Sequence, residues 1–109
     1  MIQLPRQSSF IHGQSQSASG DATLTTFYPA RNEAICEFEV ALEPEVEAAV
    51  TSARAGQAIW SEMTGTERGQ IMHRAAQLLR ERNEELATLE VYDTCLLYTS
   101  DAADEGLGV

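Results

Sequence analysis

Two cysteines, two histidines and seventeen carboxylates are the side chains in this chain with the reach to do chemistry. A cysteine nucleophile needs a base within hydrogen-bond reach or a cationic setting that favours the thiolate. Cys36 lies in the apolar stretch Ala34–Val40 with no histidine near it in sequence, so a buried structural thiol is the expected reading. Cys36 and Cys95 form neither a disulfide framework nor a metal motif. His12 precedes a turn glycine and reads as structural; His73 sits beside Arg74 in a helical pattern and reads as a surface or boundary residue; neither has ligand spacing to a cysteine. Gly65 and Gly69 flank a helix start with no strand before them, which is not a dinucleotide fingerprint. No residue is assigned here to catalysis or to cofactor binding.

The elements that would position these groups are strands first and helices second, an α+β arrangement. The most informative stretch is Thr64 to Thr94. Thr64 and Glu67 have capping-box spacing. Ile71, Ala75, Leu78 and Leu79 then recur at the period of a helix with one buried stripe. Asn83 is a good cap and a poor interior residue, which predicts a helix boundary there. A short helix follows with Leu86 and Leu89 inward, closed by Asp93-Thr94.

Upstream, Glu43-Pro44 opens another helix, with Val46, Ala49, Val50, Ala53 and Trp60 on one face and Trp60 as its core anchor. Met1–Ser9 is polar and expected to be loose. Phe10–Gly13 reads as a short strand ending in a turn, and Gln14–Ala22 as a turn or loop. Thr23–Phe27 and Ala34–Val40 read as strands around a turn at Tyr28–Asn32, in an antiparallel sheet.

A length of 109 residues allows one domain, and 43% hydrophobic content is ordinary for a soluble chain. The longest apolar runs are too short to span a bilayer. MIQLPRQSSF lacks a basic region followed by an apolar run, so no secretory signal is expected and a cytoplasmic setting is the default. The formal charge of −10, with arginine as the only cation besides histidine, argues against nucleic acid and anionic membranes as partners.

ERGQIMHRAAQLLRERNEELATLEVYDT, with FIHG at Phe10–Gly13, TTFYPA at Thr25–Ala30 and AGQAIWSEMTGTERG at Ala55–Gly69, resembles the N-terminal part of NAD-dependent aldehyde dehydrogenases. Within that superfamily it looks most like betaine aldehyde dehydrogenase, from about Phe10 to Thr94. The resemblance implies three helices after short antiparallel strands, as in the start of the family's cofactor-binding domain. It implies a homo-oligomeric oxidoreductase that turns betaine aldehyde into the osmoprotectant glycine betaine. The family's nucleophile, general base, oxyanion donors and NAD cradle lie beyond the position of Asp93, so this chain alone is expected to be inactive. The resemblance also implies a structural potassium held partly at Thr26, Phe27 (through its carbonyl) and Asp93. Asp93 as a plain helix-end or turn cap is the competing reading.

Residues 95–109 break the pattern. Family members continue after the Asp-Thr pair with a Gly-Lys-Pro-like run, and here Cys95 follows Thr94. CLLYTSDAADE resembles the translation of a transposase-type sequencing adapter, codon for codon. Residues 1–94 are therefore read as the enzyme segment and 95–109 as a translated adapter. Two other readings stand beside this one. The first is an aldehyde dehydrogenase acting on an aminoaldehyde or a semialdehyde. The second is a small acidic helical protein whose Leu78/Leu79 stripe docks a partner, although such a module would not need the strand-rich first third.

Overall fold

The computed structural model describes residues 3–95. Four strands form two separate two-stranded sheets, and three helices follow, so the α+β expectation holds. β1 (Ser9–Ile11) and β2 (Gln14–Gln16) pair antiparallel across a two-residue turn. Both turn residues, His12 at φ 53° and Gly13 at φ 74°, are left-handed. That is the backbone a tight hairpin with natural strand twist demands, and glycine adopts it without steric cost. Gln14–Gln16, expected as loop, is thus a strand. Its three residues are polar and exposed, so only pairing with β1 defines it.

β3 (Thr23–Tyr28) and β4 (Glu33–Glu39) form the second hairpin. Its turn is closed by the Arg31 and Asn32 amides, which donate to the Tyr28 carbonyl at 3.2 and 2.7 Å. Thr26 pairs with Cys36 but Phe27 pairs with Ala34, so Ile35 is an extra residue in β4. Such a bulge breaks the alternation of a strand. Two successive side chains, Ile35 and Cys36, consequently face inward, and they are only 6% and 5% exposed.

The first residues are less loose than their polarity suggests. Leu4 and Gln7 donate to the carbonyls of Ile35 and Glu37 at 2.9 and 2.8 Å, and the Glu39 amide donates to the Gln7 carbonyl at 2.9 Å. The outer edge of β4 would otherwise carry unpaired backbone groups, and residues 4–7 satisfy them.

α1 (Glu43–Glu62) starts with Pro44 in its first turn. α2 (Gly65–Glu81) starts with the expected box: the Thr64 amide and hydroxyl donate to a Glu67 carboxylate oxygen at 2.7 and 2.9 Å, and the Glu67 amide donates back to Thr64 Oγ1 at 3.2 Å. These bonds hold the Glu67 carboxyl below its ordinary value, the Thr64 amide contributing most. α3 (Asn83–Thr94) begins where a boundary was expected, but the capping position is Arg82 rather than Asn83. Arg82 grips Glu85 with two bonds of 3.0 and 2.7 Å, which stiffens the joint.

The apolar stripes are not buried. Val46, Val50, Ile71, Leu78, Leu79 and Leu86 are all exposed, Ala49, Ala53 and Ala75 likewise, and Trp60 is half-buried. The expectations of a buried α2 stripe and a core role for Trp60 are corrected accordingly, and of the α3 pair only Leu89 turns inward. The physical reason is missing cover: among the described residues no element lies over these faces, and the buried apolar core is Ile35 and Cys36. The radius of gyration is 17.4 Å, against about 13 Å for a compact domain of this size.

Candidate functional site

α3 docks on the β3–β4 hairpin through Tyr92, whose ring meets Tyr28 edge-on at 5.1 Å and 65°. Between them runs a 360 Å³ cleft with an apolar floor and one acidic wall. Ile35, Cys36 and Phe38 come from β4, Thr26 from β3, and Leu89, Glu90, Asp93 and Thr94 from α3. The spacing of Leu89, Glu90 and Asp93 places all three on one helix face.

Of the three residues tied to potassium, Thr26 and Asp93 therefore reach a common cleft although they lie far apart in sequence. Phe27 does not line it; as the next strand residue it faces the other way and is 47% exposed. Its carbonyl, not its side chain, was the proposed donor. The Thr26 hydroxyl donates to the Cys36 carbonyl at 3.5 Å, which leaves its oxygen lone pairs free to accept. A hard cation needs several oxygens around it. Thr26 and the carboxylates of Glu90 and Asp93 supply some of that set, while Leu4, Ile35, Phe38 and Leu89 supply none. The fit is partial. Among the described residues no group of three or more histidine, cysteine or acidic side chains converges.

Glu90 escaped the sequence reading, although its place one turn before Asp93 was a usable signal. The competing role for Asp93 can be checked directly. The α3 end is closed by the Cys95 amide on the Val91 carbonyl at 2.9 Å and by the Thr94 hydroxyl on the Glu90 carbonyl at 2.8 Å. Neither bond uses the Asp93 side chain.

Cys36 is buried and free, as a structural thiol should be. Its Sγ donates to the carbonyls of Pro5 and Glu37 at 3.5 Å. No histidine lines its cleft. His12, at the hairpin turn, meets Ser52 of α1 through Nδ1 at 3.2 Å, so it ties the β1–β2 hairpin to the helix. His73 is exposed on α2. Gly65 and Gly69 stand in the first turns of α2, which follows α1 and not a strand. The geometry of a strand-to-helix phosphate cradle is thus not what these glycines build.

Residues 16–105 match the aldehyde dehydrogenase family, which is well over half of the chain, and the chain belongs to that family. The family is one of aldehyde oxidoreductases that use NAD(P). The match begins after the Phe10–Gly13 motif and takes in β3, β4 and all three helices. Its end falls within 95–109, of which residues 96–109 lie outside the described residues. No helix among the described residues is long and apolar enough to cross a membrane.

Proposed function

We propose that residues 1–94 are the N-terminal segment of a cytoplasmic, homo-oligomeric betaine aldehyde dehydrogenase. The reaction joins betaine aldehyde, NAD and water and yields glycine betaine and NADH. The observation that carries this reading is the position of the quoted motifs in the fold. FIHG spans the end of β1 and its turn, and TTFYPA spans β3 and its turn. AGQAIWSEMTGTERG spans the α1–α2 joint with its capping box. These are the tight turns and caps that position elements.

In this reading the present segment braces the cofactor domain, and thiolate attack, hydride transfer and thioester hydrolysis belong to residues further along the enzyme. The polypeptide of 109 residues is then inactive by itself. Cys95–Val109 is proposed to be translated adapter, with the enzyme's own frame continuing after the Thr94 codon. Amplifying the locus from unfragmented source DNA tests this. A long open frame continuing from Thr94 supports it, and recovery of the Cys95–Val109 codons refutes it.

Potassium is proposed as a structural ion at the Thr26–Asp93 cleft, with the Phe27 carbonyl as a further donor. The shared cleft of Thr26 and Asp93 supports that reading. In the full-length enzyme, Asp93→Ala should reduce the potassium-dependent rise in melting temperature. An unchanged potassium response removes Asp93 from the site.

Substrate choice is tested by comparing betaine aldehyde with an aminoaldehyde and a semialdehyde on the full-length enzyme. Highest kcat/KM on betaine aldehyde supports the assignment. Preference for another aldehyde moves the protein to a different branch of the same family.

A further inference from the structure

We propose that residues 17–22 form an acid-released strap, in which the buried carboxylate of Glu45 holds the amide and hydroxyl of Ser19 and lets go when protonated. The strap crosses from the β1–β2 hairpin to the β3–β4 hairpin over the start of α1. The Ala18 amide donates to Glu39 Oε2 at 2.7 Å. The Ser19 amide and hydroxyl donate to the two oxygens of Glu45 at 2.9 and 3.2 Å. Glu45 also accepts from the Leu42 amide at 2.7 Å, so one carboxylate both starts α1 and anchors the strap. It is only 3% exposed, the one buried charged side chain among the described residues.

Gly20 lets the strap lie this close. A Cβ there would stand 2.7 Å from Leu42 Cδ1. The far end of the strap is closed by the Val40 amide on the Ala22 carbonyl at 2.9 Å. The charged groups around the pair are few. Arg6 reaches Glu39 at 3.6 Å and is half exposed. Glu43 and Glu47 on α1 and Asp21 in the strap are exposed and make no bond to either carboxylate. Among the described residues no cation pairs with Glu45, and its charge is met by the amides of Leu42 and Ser19 and the Ser19 hydroxyl.

A carboxylate that accepts several amide bonds resists protonation, and each of those bonds weakens when the proton arrives. The bond from Leu42 is the main cause of the lowered value at Glu45, and the Ser19 hydroxyl and amide add to it. The strap is therefore closed above the ordinary glutamate value of 4.5 and opens as pH falls through the lowered one. Once it opens, the contact of the β1–β2 hairpin with α1 at His12 and Ser52 is what still holds the two together.

The test is an NMR pH titration of the 109-residue chain that follows the amide proton of Ser19. It is expected far downfield at neutral pH and to move upfield in acid, with a midpoint below 4.5. Glu45→Gln should abolish this step. A Ser19 amide that does not titrate, or a step that survives Glu45→Gln, overturns the proposal. Should Glu45→Gln fail to fold, Ser19→Ala removes the hydroxyl bond alone and should raise the midpoint of the amide at position 19. An unchanged midpoint in that variant also overturns it.

Discussion

Ile35 and Cys36 illustrate how much a single residue can decide here. The extra residue in β4 turns both inward, and together they are the buried apolar core of the described chain. A core that small has no neighbours to collapse into a void. Ile35→Ala is expected to destabilise the β3–β4 hairpin and its contact with α3 by at least about 2 kcal/mol, in the lower part of the usual range for such truncations. Urea unfolding followed by near-UV circular dichroism of the aromatic side chains, the Tyr28–Tyr92 pair among them, would measure it. Thr64 acts at a helix start. Thr64→Ala is expected to cost ~1 kcal/mol of α2 stability, read from helical circular dichroism. Its partner Glu67 is held below the ordinary value of 4.5 by the Thr64 bonds. Its stabilisation is therefore complete above that pH and lost as pH falls through the lowered value. In Thr64→Ala the acid loss of helix should shift toward higher pH. An acid transition at the same pH in both proteins would contradict the capping account.

The elements show what local pattern can and cannot say. The capping box, the helix boundary at Asn83 and the β3–β4 hairpin were legible because each rests on neighbouring residues: an acceptor three positions on, an asparagine ill-suited to a helix interior, a Pro-containing turn. The strand Gln14–Gln16 was not, because its side chains are all polar and only pairing with β1 creates it. The β4 bulge and the docking of residues 4–7 on the β4 edge were invisible for the same reason: each depends on what lies across the gap. The candidate cleft was half legible. Family resemblance pointed to Thr26 and Asp93, while Glu90 and Cys36 emerged only when α3 was seen against β4. The helical stripes were read correctly as periodic and wrongly as buried, since period says which side is apolar but not whether anything covers it. Gly56 belongs to this scale too. It sits inside α1 with nothing within 4 Å of where a Cβ would stand. Gly56→Ala is expected to stabilise the 109-residue chain by roughly 0.5–1 kcal/mol, because it removes backbone freedom from the unfolded state without a clash. The helical circular dichroism of the two proteins at one temperature would test it, and less helix in the variant would mean that α1 meets something the present fold does not show.

At the scale of the molecule the radius of gyration is 17.4 Å, and among the described residues Val46, Ile71 and Leu78 are exposed. Exposed apolar faces of this kind associate, and the net charge of −10 opposes that only at long range and low salt. The 109-residue chain is therefore expected to self-associate as concentration and salt rise, and to lack a sharp thermal transition. Light scattering and calorimetry would show it, and a cooperative transition from a dilute monomer would count against it. The central claim is that these residues open an aldehyde dehydrogenase acting on betaine aldehyde. It is tested most directly by NADH formation, followed at 340 nm, from the full-length protein encoded at the source locus, beside the 109-residue chain under the same conditions. The account predicts NADH from betaine aldehyde with the full-length protein and none with the short chain. NADH formation by the short chain alone, or none from betaine aldehyde by the full-length protein, would contradict it.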